Sequence, residues 1–149
     1  MEITARLDVP CEPGELYHHV DDLDRYPPWM RLIHTAERVD DPDGRLAWIV
    51  ELRARVGPLA RSKRLRMVRT EAVPDQLVVF ERAELDDRAH ARWALRAELE
   101  ATPDGSALAM HLSYGGRLWT GGLLDRVLED EVRRGSAQLI AVVTAGTTR

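Results

Sequence analysis

The chain has 149 residues, 44% hydrophobic and 31% charged, which suits one globular domain spanning 1–149 and excludes a disordered polymer. Its 21 basic and 25 acidic residues leave a net charge of −4, against a broadly basic nucleic-acid binder, and its single cysteine, Cys11, excludes an intrachain disulfide and any multi-cysteine zinc site. The longest apolar run, Leu139–Val143, is five residues; a bilayer span needs about 20. The N-terminus has no basic segment followed by an apolar stretch, so the expected address is the cytoplasm.

Residues 2–9 alternate, with Ile3, Ala5, Leu7 and Val9 on one face, as in a half-buried strand. Pro10 ends it. Glu12-Pro13-Gly14-Glu15 then reads as a helix start, with proline in the first turn and acids near the positive end of the dipole. Leu16, Val20 and Leu23 give it a short stripe before Asp24-Arg25-Tyr26-Pro27-Pro28-Trp29, where the prolines forbid a helix interior. From 33 to 115 the period is two. Strands are expected over 33–40, 45–56, 59–73, 76–85, 89–102 and 105–115, separated by turn compositions such as Pro42-Asp43-Gly44 and Pro103-Asp104-Gly105. Short connections imply antiparallel hairpins. The segment 119–145 returns to helical period, with Leu124, Leu128, Val132, Gly135, Leu139 and Val142 on one face and its start near Thr120 or Gly121-Gly122. About 25 residues at a rise of 1.5 Å reach roughly 37 Å, enough to cross a sheet. The expected class is therefore α+β: seven antiparallel strands curved around a long C-terminal helix, with two short helices after the first strand.

This order of elements, together with Val9-Pro10, Asp22-Leu23-Asp24-Arg25-Tyr26-Pro27-Pro28-Trp29 and Leu112-Ser113-Tyr114-Gly115-Gly116-Arg117-Leu118, resembles the helix-grip fold of the START-related superfamily (SRPBCC), and within it the polyketide cyclase/dehydrase and lipid-transport group. The resemblance implies a cavity between sheet and long helix, with a hydrophobic small molecule as partner. Strand parity assigns its lining. Residues 45–56 offer Trp48, Val50 and Leu52; residues 89–102 offer Trp93 and Leu95; residues 105–115 offer Met110 and Tyr114. Trp29, on its stiff turn, is expected to cap the mouth. On the helix, Gly135 leaves room for a ligand or allows close packing, and Glu131 and Gln138 on the flank offer polar contacts.

Some aromatase/cyclases of this group carry an inward Trp-x-Ser-x-Arg pattern on the corresponding strand. Here the pattern reads Trp48-Ile49-Val50-Glu51-Leu52, and an aliphatic side chain can neither transfer a proton nor pair with an enolate. The five histidines lack the spacing of a helical metal pair, and no phosphate loop, dinucleotide fingerprint or nucleophile elbow occurs; no cofactor is expected. Residues 45–69 hold eight basic and one acidic side chain, a local +7 against −11 elsewhere. With one interleaved aromatic, Trp48, this reads as an outward face balanced by Glu81, Glu84, Asp86 and Asp87 on the neighbouring strand, not as a nucleic-acid surface. Lys63, the only lysine, shares parity with Leu65 and Met67, and whether it faces inward stays open. Three functions follow: binder of a small hydrophobic ligand, cyclase or dehydratase using the same cavity, or interaction domain acting through the basic hairpin. The scarcity of inward polar groups favours the binder.

Overall fold

The computed structural model describes residues 2–56, 58–115 and 122–147. In chain order these form β1 (Glu2–Val9), α1 (Pro13–Val20), a 3₁₀ turn (Leu23–Arg25), β2 (Ile33–Val39), β3 (Ala47–Val56), β4 (Leu59–Val73), β5 (Leu77–Arg82), β6 (Trp93–Thr102), β7 (Gly105–Tyr114) and α2 (Gly122–Thr147). The second short helix expected after β1 is thus one 3₁₀ turn. The expected helix starts at Thr120 and Gly121, and Gly116-Arg117-Leu118, lie outside the described residues, as do the side chains of Leu124 and Leu128.

All seven strands form one antiparallel sheet in the order β1-β7-β6-β5-β4-β3-β2. Strands β2 to β7 are a simple meander, each pairing with the next in sequence. Consecutive strands β1 and β2 instead occupy opposite edges, so residues 10–32 must cross the sheet from edge to edge. Register shifts between Ile33 and Thr35 and between Arg69 and Glu71 mark irregularities of the bulge type, which bend a sheet. At the β6–β7 hairpin, Gly105 has φ +148°, and a Cβ there would stand 2.3 Å from the Val9 carbonyl oxygen, so only glycine fits.

Period two sets the concave face. Trp48, Val50, Leu65, Phe80, Trp93, Leu95, Leu108 and Met110 are all buried in a single core cluster. Against them α2 lays Val132, Leu139 and Val143 at helical spacing. The crossing segment is pinned by polar contacts to backbone: Tyr26 Oη donates to the Val20 carbonyl at 2.8 Å, Arg69 to the Asp21 carbonyl at 3.0 Å, and Tyr17 Oη to the Leu77 carbonyl at 3.3 Å. Trp48 Nε1 donates to Asp24, whose carboxyl is pushed above the usual range by burial and by neighbouring Asp22, against the lowering effect of that indole.

Two expected strands are shorter in the structure. Residues 83–85 and 89–92, expected as strand on either side of a turn at Asp86-Asp87, leave the ladder. Arg82 donates to Glu84 at 3.0 Å and to the Ala91 carbonyl at 3.1 Å, while His90 and Asp86 bond at 2.7 Å, and these contacts hold the segment as a loop. Ala91 is therefore not a strand residue.

The basic stripe is balanced differently from expectation. Arg66 is buried on the outer face and pairs with Asp41 at 2.8 Å, and Asp41 also takes Arg45 at 3.1 Å. These two guanidiniums hold the Asp41 carboxyl well below the usual carboxylate range. Glu84 accepts from the Arg66 backbone N–H at 3.0 Å, so it contributes, but the main counter-charge comes from the β2–β3 turn. Among the described residues, no helix is long and apolar enough to cross a membrane.

Candidate functional site

Between the concave face and α2 lies a cavity of about 30 Å³. The sheet contributes Val50 and Leu52 from β3, Leu65 and Met67 from β4, Trp93 and Leu95 from β6, and Leu112 from β7. The crossing segment adds Leu23, Met30 and Leu32, the start of β2 adds Ile33, and α2 adds Val132. Every one of these side chains is apolar or, for Trp93, largely so. The volume exceeds one water, yet a dry apolar wall gives water too few partners to stay. The space is what remains between well-packed residues. A sizeable ligand enters only if side chains move, and Met30 and Met67 are the most adaptable of them.

The structure brings together four of the residues assigned by parity: Val50, Leu52, Trp93 and Leu95. Trp48 and Met110 are buried on the same face but lie off this lining. The Trp48 ring instead meets Phe80 edge-on at 5.4 Å and carries Arg38 at 5.2 Å. Tyr114 stacks behind the lining on Trp93, centroids 5.1 Å apart. The indole N–H of Trp93 is buried and meets no hydrogen-bond partner among the described residues.

Trp29 and Gln138 differ from expectation, whereas Gly135 takes the close-packing alternative and Glu131 stays on the flank. Trp29 does not cap a mouth: it is 1% exposed, its ring 4.5 Å from that of Tyr26, and it belongs to the core. Two prolines fix the turn, but they turn the indole inward. Gly135 does not border empty space. A Cβ there would sit 3.1 Å from the Trp29 carbonyl oxygen and 3.3 Å from Met30 Cα, so the glycine lets α2 press onto the crossing segment. Gly135→Leu is therefore expected to overpack this contact and cost about 1–3 kcal/mol in urea unfolding. Unchanged stability with weakened ligand binding would return the position to the cavity. Glu131 lies at the rim, where Arg31 grips both its oxygens at 2.7 and 3.3 Å. Gln138 is exposed on α2, one position from buried Leu139, and points away from the core.

Lys63 stands directly opposite Leu52 on the β3–β4 ladder and so shares the concave face. Burial, then the nearby Arg82, lowers its pKa, with Glu84 opposing. Arg82 itself is only 9% exposed at its side chain and is spent on Glu84, Ala91 and His90. The signal for Lys63 was parity; its charged neighbours, at and beyond the end of β5, left no trace in the local pattern.

The polar groups around the cavity thus bond chiefly to each other. Arg31 pairs with Glu131, Arg82 with Glu84, Arg38 with Asp22, and Trp48 donates to Asp24. The arrangement can bury an apolar body. It places no nucleophile with an adjacent base at the described lining.

No sequence among the curated proteins matches the chain. Solved structures do match in fold. TTHA0849 from Thermus thermophilus superposes with a TM-score of 0.77 at 18% identity, covering 98% of this chain and 99% of that one. A START superfamily protein from Mycobacterium smegmatis gives 0.70 at 14% identity, covering 97% of each. The Zhui aromatase/cyclase from Streptomyces sp. R1128 gives 0.68 at 11%, covering 97% of this chain and 93% of that one. Such identities establish the helix-grip architecture alone. The sequence itself matches a family model over residues 1–144, and on that ground the chain belongs to the polyketide cyclase / dehydrase and lipid transport family.

Proposed function

We propose that this protein binds a small hydrophobic molecule between its sheet and α2, without transforming it. The observation that carries this is the composition of the cavity wall: twelve side chains from three parts of the fold, all hydrophobic in character. Such a wall binds by removing apolar area from water, worth roughly 25 cal/mol per Å² before ordering costs. Trp29, Trp48, Met110 and Tyr114 support this wall from behind, and Glu131 and Gly135 hold α2 in place over it.

The neutral fluorophore N-phenyl-1-naphthylamine tests this reading. Saturable binding with a blue-shifted emission is expected, and no cyclisation of a linear poly-β-ketone thioester above its uncatalysed rate. The enzyme reading, to which the fold of the Zhui aromatase/cyclase lends support, predicts the reverse. Cyclisation abolished by Tyr114→Phe or Glu131→Gln would replace binder by enzyme. Absence of any probe binding to the folded protein would leave a filled core and shift weight to the basic hairpin.

A further inference from the structure

A second hollow of about 470 Å³ lies outside the cavity, where β2 begins. Ile33 is opposite Leu52, whereas β3 runs on to Val56, so the last residues of β3 extend past the edge strand that covers the rest. The groove there has Ile33 and Ala54 in its wall and Arg31, Arg53, Arg55 and Glu131 around it. Ile33 lines both this groove and the apolar cavity. One side chain, 5% exposed, therefore stands between the two spaces.

The charges are unequal. Three guanidiniums face one carboxylate, and Glu131 is already gripped at two points by Arg31. Arg53 rests 3.4 Å from Glu51, a loose and exposed pair. Arg55 is exposed and makes no ion pair among the described residues. Arg53, loosely paired, and Arg55, without an ion pair among the described residues, thus project from the outer face of β3 beside a groove that shares Ile33 with the apolar cavity.

We propose that this groove holds the anionic head, carboxylate or phosphate, of an amphiphile whose aliphatic tail passes Ile33 into the cavity. The assignment rests on the cavity being the ligand site. A guanidinium presents two parallel N–H groups that match a carboxylate or phosphate edge, and two such forks on one strand can take an anion between them. Met30 and Leu32 line the cavity beside Ile33, and methionine repacks readily around an inserted chain. Because the arginines are exposed, salt screens the pairing.

Decanoate, decyl phosphate and decanol share one tail and differ in the head; inorganic phosphate is the head alone. Displacement of N-phenyl-1-naphthylamine gives their affinities, and calorimetry that of inorganic phosphate. Both anionic amphiphiles are expected to bind about tenfold more tightly than decanol at low salt, with the margin shrinking as salt rises. Arg53→Gln with Arg55→Gln is expected to erase that margin and leave decanol binding unchanged. Equal affinity of decanoate and decanol for the unsubstituted protein would overturn the proposal, as would a margin that survives the double substitution. Inorganic phosphate binding as tightly as decyl phosphate would reduce the groove to a site for free anions and overturn the amphiphile. Failure of decanol and decanoate alike would instead overturn the cavity reading beneath it.

Discussion

Trp29→Ala is expected to lower the unfolding free energy by about 3–5 kcal/mol, the range for truncating a buried aromatic residue. The indole is 1% exposed and packs at 4.5 Å on Tyr26, which is itself fully buried and hydrogen-bonded to the Val20 carbonyl. Its backbone carbonyl is also the surface that receives Gly135 of α2. The residue therefore sits in the buried core with its backbone against the long helix and its ring on Tyr26, and a truncated side chain leaves a void there. Urea unfolding followed by circular dichroism measures the loss. Trp29→Phe keeps an aromatic ring and should recover much of it. A loss under about 1 kcal/mol together with weaker probe binding would put Trp29 back at a mouth.

The contrast between Trp29 and the strand residues shows what the sequence makes legible. On β3 and β6, alternation alone placed Trp48, Val50, Leu52, Trp93 and Leu95 inward, because a strand has two faces and one must be dry. The bounds of β4, Leu59 and Val73, were readable because Gly57-Pro58 and Pro74-Asp75 flank it, and Asp75 indeed adopts φ 64°. Residues 83–85 and 89–92 read as strand but lost the ladder to contacts of Arg82 and His90 that have no periodic signature. A short turn such as Tyr26–Met30 has no period at all, so the direction of Trp29 depends on what packs against it. The Arg31–Glu131 clasp joins residues 100 apart, and neither end announces its partner. The seat of Gly135 is likewise a property of two distant segments. Faces are thus local information, whereas closures and rims are tertiary.

Leu65→Ala is expected to cost about 2–5 kcal/mol and to strengthen binding of a bulky apolar probe at the same time. Leu65 is buried on β4 opposite Val50, and both line the cavity. Its removal adds a side chain's volume to a space that now holds only about 30 Å³. The stability loss has two parts, the lost transfer energy of the leucine and the void it leaves, and the second grows with the volume that fails to collapse. A ligand that fills the void returns part of that loss, since anything binding only the folded state stabilises it by mass action. The same substitution should therefore lower the melting temperature of the free protein and enlarge the shift produced by saturating N-phenyl-1-naphthylamine. The two measurements separate core from site. A destabilised protein whose probe-induced shift is no larger than that of the unsubstituted chain would show that the ligand does not reach Leu65. The cavity would then be a packing remnant, and the ligand would have to be sought at the groove beyond Ile33.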